Sequence, residues 1–173
     1  MGEHPNDFPS GNILATIPVS SFKGEYEHAV DEKGRVSFPS KLRKFLNPVA
    51  EERFTIVRGL EECLYLYPED EWQKVEQKIK KINSFTKRGR AVVRNFLRTA
   101  DDLTLDRQNR LALPSKLMEM VGITGKIVFI GSGERIELWS PEALAKEDEN
   151  LDFEAYQELF EDVMGGFEDE EEE

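Results

Sequence analysis

The chain has 173 residues, enough for one domain or for two small halves that pack intimately, each with a core. Hydrophobic residues make up 39% and charged residues 34%, the balance of a globular protein with a charged surface, and no apolar run approaches the ~20 residues of a membrane-spanning helix. The net charge of −12 speaks against a nucleic-acid partner only until its placement is read: Glu142 to Glu173 hold fifteen acids against Lys146 alone, whereas the first 141 residues carry a net +2.

In chain order, residues 1–21 form a leader with no basic stretch. Its apolar patch is broken by Thr16 and Pro18, so a secretory signal is rejected. Tyr26 to Val30 reads as a strand, and Asp31 ends it, its carboxylate placed to bond the backbone two residues on. Gly34 suits a left-handed turn position. Arg35 then starts a second strand, with Val36 and Phe38 inward and Ser37 outward. Pro39 fits the first turn of a short helix whose apolar face is Leu42, Phe45 and Leu46. Phe54 to Val57 and Cys63 to Tyr67 are β-rich, and Pro68 closes the unit.

Two helices follow. Trp72, Val75, Ile79 and Ile82 form one apolar stripe, and Val92, Val93, Phe96 and Leu97 form another after a break at Asn83-Ser84. Trp72 to Arg98 contains nine bases and one acid, Glu76. Solvated outer helix faces are the commoner meaning of such charge, with phosphate tracking as the alternative.

The first unit then recurs. DEKGRVSFPSKL at Asp31 to Leu42 returns as DRQNRLALPSKL at Asp106 to Leu117, 75 residues on and without a gap. Leu103 to Leu105 is the leading strand, Asp106 ends it, and Asn109 stands where Gly34 stood, one of the few other residues that tolerate the left-handed region. Arg110 starts the next strand with Leu111 and Leu113 inward. Pro114 leads a helix with Leu117, Met120 and Val121 as its apolar face. Ile127 to Ile130 and Ile136 to Trp139 complete the copy around a hairpin turn at Gly131-Ser132-Gly133, and Pro141 closes it. A last helical stripe, Phe153, Tyr156, Phe160 and Val163, ends at Gly165-Gly166 before an acidic segment expected to be disordered.

The residues therefore predict an α+β fold of two β-β-α-β-β modules packed face to face about a pseudo-twofold. The divisions are 1–21 extension, 22–70 first module, 71–98 basic helical linker, 99–141 second module and 142–173 acidic tail. Similar edges and apolar faces lead us to expect self-association.

Enzyme chemistry finds no support. Cys63 is expected to be an inert, half-buried thiol, and with only His4 and His28 there is neither a nucleophile–base pair nor the usual kind of zinc site; a single cysteine also rules out an internal disulfide and points to a reducing cytoplasm. Gly122 to Lys126 lacks the serine or threonine after the lysine, and the spacing, of a phosphate-binding loop. Trp72, Trp139, Tyr65 and Tyr67 read as core or subunit interface, and His28 as a structural or surface residue. No cofactor and no metal is expected.

The doubled Asp-x-x-x-Arg with its proline-led helix, FKG at Phe22 to Gly24, VRGLEECLYLYPEDEW and ERIELWSPEAL together resemble the MraZ family over about Phe22 to Pro141. That resemblance implies tandem AbrB-like modules of the double-psi or swapped-barrel type, assembled into ring-shaped homo-oligomers. It also implies a nucleoid-associated transcriptional regulator of cell-division and cell-wall genes that binds double-stranded DNA at repeated promoter elements, without a membrane or a small-molecule substrate. Carried over by position, the family motifs fall on Asp31, Arg35, Asp106 and Arg110, with Lys23 and Lys33 as flanking bases. Three departures are the glycine-to-Asn109 change, the leader and the long acidic tail.

On residue types alone Arg35 has two readings, an ion pair with Asp31 inside the turn or a fork held out at a loop tip for a guanine edge or a phosphate. The resemblance favours the second for Arg35, while Asp31 is read as a turn-former. Copy one is the more basic, with Lys33, Lys41, Arg43 and Lys44 around its turn, whereas Met118 and Glu119 stand at the last two positions in copy two. Copy one is thus expected to lead, with Arg110 secondary. The alternative is a non-catalytic assembly protein for which DNA is incidental. For the tail, shielding of the basic linker competes with a solubilising role.

Overall fold

The computed structural model describes residues 20–165. The leader as far as residue 19, including His4, and the acidic segment from Gly166 onward lie outside the described residues. Among the described residues eight strands and six α-helices follow one another as β1 (Phe22–Ala29), β2 (Arg35–Ser37), α1 (Ser40–Arg43), β3 (Arg53–Arg58), β4 (Leu64–Pro68), α2 (Glu69–Lys80), α3 (Lys87–Leu97), β5 (Asp101–Thr104), β6 (Arg110–Ala112), α4 (Ser115–Met120), β7 (Lys126–Gly133), β8 (Arg135–Trp139), α5 (Pro141–Glu149) and α6 (Phe153–Gly165). The fold is α+β with a strand-helix module repeated twice.

The two copies do more than pack against each other. They share one six-stranded antiparallel sheet in the order β1-β7-β8-β4-β3-β5. β1 of the first copy pairs with β7 of the second over the full length Phe22 to Ala29, and β5 of the second pairs with β3 of the first. β4 and β8 meet in the middle, and β2 and β6 form a separate two-stranded ribbon. The order reads the same from either edge once copy one and copy two are exchanged. This interleaving replaces the face-to-face contact expected from sequence.

Sequence alternation explains how the sheet is filled. β3, β4, β7 and β8 are nearly continuous apolar runs because both of their faces are covered, and side chains of opposite parity enter different cores. Phe54, Ile56, Leu64, Leu66, Ile127, Phe129, Ile136 and Leu138 point to the side roofed by the β2–β6 ribbon, α1 and α4. Val57, Cys63, Tyr65, Tyr67, Val128 and Trp139 point to the other side, where Trp72 of α2 and Ala143 of α5 pack and Phe96 of α3 joins them. Trp72 stacks on Phe96 with ring centroids 6.0 Å apart, which fixes α3 against α2.

Several local expectations are corrected. Pro39 and Pro114 occupy the N-cap position, one residue before the first helical turn, because each helix begins at the following serine. Met120 is exposed, and Met118 packs on the core in its place. Gly131 and Ser132 are strand and not turn: they continue β7 opposite Gly24 and Lys23, and the hairpin turn to β8 is Gly133-Glu134, with Gly133 at φ of 74° between the paired Ser132 and Arg135. Glycine is required there because a Cβ at Gly131 would lie 2.3 Å from the Lys23 backbone nitrogen. Of the second linker stripe, Val93 and Phe96 are partly covered, while Val92 remains 58% exposed. Cys63 is wholly buried, and burial pushes its thiol up to about 12, which keeps it protonated and unreactive. The tail begins with its own helix, α5, ahead of the stripe in α6; Ser140 caps it by accepting from the Ala143 amide at 3.0 Å, with Pro141 in its first turn.

Candidate nucleic-acid interface

The ribbon of β2 and β6 is the place where the two copies present the same chemistry side by side. Val36 faces Leu111 across it, and both are buried beneath, 1% and 0% exposed. The period of two then puts Arg35, Ser37, Arg110 and Ala112 on the outer face. Arg35 stands opposite Ala112 and Ser37 opposite Arg110. Each arginine therefore has a small residue across from it, and the two arginines sit on a diagonal. From ordinary strand dimensions their Cα atoms are ~8 Å apart.

Each arginine is held by its own turn. In copy one, Asp31 Oδ1 accepts from the Lys33 and Arg35 amides, both at 2.9 Å, and Oδ2 accepts from Arg35 Nε at 2.8 Å. In copy two, Asp106 Oδ1 accepts from the Gln108 and Arg110 amides at 2.8 and 2.9 Å, and Oδ2 from Arg110 Nε at 2.9 Å. The left-handed residue is Gly34, with φ of 76°, in one turn and Asn109, with φ of 57°, in the other. Each of them also ties the copies together. The Asn109 carbonyl accepts from the Phe38 amide and the Gly34 carbonyl from the Leu113 amide, both at 2.9 Å.

These bonds set the electrostatics. The Arg35 amide, more than any other group, holds the Asp31 carboxyl below the ordinary carboxylate range, with the Arg35 side chain and the Lys33 amide adding to it. The Asp106 carboxyl is lowered in the same way, first by the Arg110 amide. Both carboxylates are thus ionised and engaged. The arginine side chains keep 33% and 27% of their surface in solvent. Only Nε of each guanidinium bonds the carboxylate, so the two terminal nitrogens remain for an outside acceptor. The intra-turn ion pair is present, and it leaves the fork available; the loop tip pictured from sequence is in fact the tethered face of a ribbon.

The flanking bases divide. Lys33 and Lys41 are exposed and make no ion pair among the described residues. Arg43 is committed to Glu52 in a close ion pair, which lowers the field expected of it. Lys23 lies with Nζ 5.6 Å from the centre of the Phe45 ring, at the end of the β1–β7 pair and beside the α1 segment. Sequence reasoning missed the positions between the arginines: Ser37 and Ala112 are exposed and small, and their role follows only from the β2–β6 register. The signal available was the matching of alternation between the two copies. Among the described residues no helix is long and apolar enough to cross a membrane.

A family model described as "MraZ protein, putative antitoxin-like" matches the chain twice in tandem, over residues 21–95 and 96–160. The chain belongs to the MraZ family. It is 39% identical to the "Transcriptional regulator MraZ" of Syntrophomonas wolfei over 143 residues, which is 83% of this chain and 96% of that protein. It is 42% identical to the protein of the same name from Clostridium tetani, over 77% of this chain and 92% of the relative, and 41% identical to that from Clostridium beijerinckii, over 82% and 98%. All three relatives carry the name of a transcriptional regulator.

Proposed function

We propose that this MraZ-family chain regulates transcription by binding double-stranded DNA through the outer face of the β2–β6 ribbon. The arrangement that carries this reading is the diagonal pair of tethered arginines flanked by Ser37 and Ala112. A two-stranded ribbon fits the major groove, where an arginine fork can pair with O6 and N7 of a guanine. At ~8 Å the two arginines span roughly two base-pair steps of 3.4 Å. Small residues opposite each one let the ribbon lie close to the base edges.

In this reading Arg35 and Arg110 read bases, Lys33, Lys41 and Lys23 meet phosphates, and Arg43 contributes only when it leaves Glu52. Asp31, Gly34, Asp106 and Asn109 build the turns that aim the forks. Residues 22–70 and 99–141 are the reading modules, 71–98 the linker and 142–173 the tail. The interleaved sheet and ribbon are read as the AbrB-like swapped barrel that the MraZ resemblance implies, with promoter repeats near cell-division and cell-wall genes as targets and the cytoplasmic nucleoid as the location.

One bidentate contact discriminates by only about 1–3 kcal/mol, so a single small ribbon does not select a promoter. Several copies at fixed spacing, as in a ring, do so through avidity on direct repeats. Gel-shift titration of DNA carrying one repeat against DNA carrying four is the test. Much tighter binding to four repeats is expected, and equal affinity per repeat contradicts the reading.

A further inference from the structure

The pseudo-twofold makes each copy support the other's turn. A Cβ built on Gly34 would lie 3.2 Å from Met118 Cε, so α4 of copy two stands against the turn that carries Arg35. The counterpart of Met118, 75 residues earlier, is Arg43 on α1, and the same symmetry sets it beside the second turn, which carries Arg110. The backbone agrees. Val30, just before Asp31, donates to the Gly125 carbonyl at 2.9 Å, and Leu105, just before Asp106, donates to the Glu52 carbonyl at 3.1 Å. Glu52 is thus to the second turn what Gly125 is to the first, and it is Glu52 that holds Arg43. Where copy two supplies Met118 and Gly125, copy one supplies a charge pair.

This pair is unlike the two on the ribbon. Arg35 and Arg110 give Nε to their aspartates, whereas Arg43 gives both Nε, at 3.2 Å, and Nη2 to Glu52 Oε1. Its fork is occupied even though both side chains are well exposed, 43% for Arg43 and 41% for Glu52. The carboxylate is delivered by two successive left-handed residues, Glu51 with φ of 53° and Glu52 with φ of 59°, a conformation that glutamate adopts at a cost. Strain of this kind persists only where the surroundings impose it, and it collects at clamps and switches. Beside the pair lies a cavity of about 510 Å³ whose lining includes Ser40, Lys44 and Pro48.

We propose that Arg43 and Lys44 form a phosphate subsite of the DNA interface beside the second turn, and that Glu52 keeps it closed until a backbone phosphate takes the place of the carboxylate. The ligand is one phosphodiester of the duplex seated on the ribbon, so the inference rests on the reading above; its own content is the subsite and the residue that closes it. A guanidinium offers phosphate the same fork that it offers a carboxylate. An exposed ion pair contributes little to folding, so exchanging one anion for the other requires little free energy. The bases that the sequence assigns to copy one thereby serve the arginine of copy two, whose own helix has Met118 and Glu119 at those positions.

The test uses the full chain, with fluorescence anisotropy on a repeat-bearing duplex across a salt series. Glu52→Gln should tighten binding by up to about fivefold per ribbon, the upper end of what an exposed ion pair is worth, and leave the salt slope unchanged. Arg43→Ala should weaken binding and flatten the slope of log affinity against log salt by about 0.9 per ribbon engaged. Glu51→Gln removes the same charge one residue away, from a pair with Arg53 at 3.6 Å, and should change neither quantity. All three side chains are at least 41% exposed, and thermal melts check that each variant is folded. Equal tightening by Glu51→Gln and Glu52→Gln would mean general repulsion and overturn the closing role; no tightening by Glu52→Gln would do the same. An unchanged slope in Arg43→Ala overturns the subsite. Arg35→Ala is measured alongside: if it keeps wild-type affinity and preference the ribbon reading fails, whereas a weakened Arg35→Ala beside an unaltered Arg43→Ala fells the subsite alone.

Discussion

Replacing Arg35 by alanine removes a fork whose Nε is bonded to Asp31 at 2.8 Å and whose side chain keeps 33% of its surface in solvent. The cost to folding is small, because the pair lies at the surface and exposed ion pairs contribute ~0–1 kcal/mol. The Asp31 carboxylate keeps its two backbone amide donors, so the turn persists. The cost to recognition is larger. Loss of one bidentate contact removes about 1–3 kcal/mol per ribbon, or roughly 5- to 150-fold at a single site. In the proposed complex the carboxylate left behind, no longer shared with a guanidinium, would also repel the DNA. Fluorescence anisotropy on a repeat-bearing duplex across a salt series separates the effects. Arg35→Ala should lower affinity and sequence preference together, and Arg35→Lys should restore the charge and the salt slope but not the preference, since lysine lacks the planar fork. An Arg35→Ala protein that binds its repeats with wild-type affinity and preference refutes the role given to this side chain.

Gly34→Ala should destabilise the fold by about 1–2 kcal/mol in urea melts, because alanine must enter the left-handed region. Its Cβ would also meet Met118 Cε at 3.2 Å, whereas Asn109→Gly should be close to neutral. Gly131→Ala should weaken the β1–β7 pairing, since its Cβ would press on the Lys23 backbone, and amide exchange should rise selectively along Phe22 to Ala29. Asp31 and Asp106 have carboxyls lowered by folding, so their contribution is complete above the unfolded carboxylate range and fades as pH falls through the lower folded values. The double variant Asp31→Asn with Asp106→Asn should therefore flatten the acid limb of a stability–pH curve and leave its neutral limb unchanged in slope.

Local chemistry was legible where one residue type answers one backbone demand. The substitution of Gly34 by Asn109 at the same register marked two left-handed turns, and the alternation of Val36, Phe38, Leu111 and Leu113 marked the buried side of the ribbon. The strands from Phe54 to Trp139 were legible because β-branched and aromatic runs have few other uses. The pairing of β1 with β7 was not, since the sequence of one strand does not say which copy supplies its neighbour. The Gly131 segment misled for the same reason: a glycine that admits a close backbone looks like a glycine that turns. At the candidate interface the two arginines could be named from the repeat, but their diagonal setting and the open positions Ser37 and Ala112 depend on the β2–β6 register, which no local pattern encodes. The commitment of Arg43 to Glu52 also arises from proximity in space, nine residues apart in sequence.

Guanine N7 reports the major groove directly, so its protection from dimethyl sulfate by the bound protein is the decisive measurement. Paired guanines spaced about two base-pair steps apart should be protected in every repeat, and each of Arg35→Ala and Arg110→Ala should uncover one member of the pair. Guanines that remain fully reactive under saturating protein, or protection that neither substitution alters, would place the contact elsewhere on the molecule.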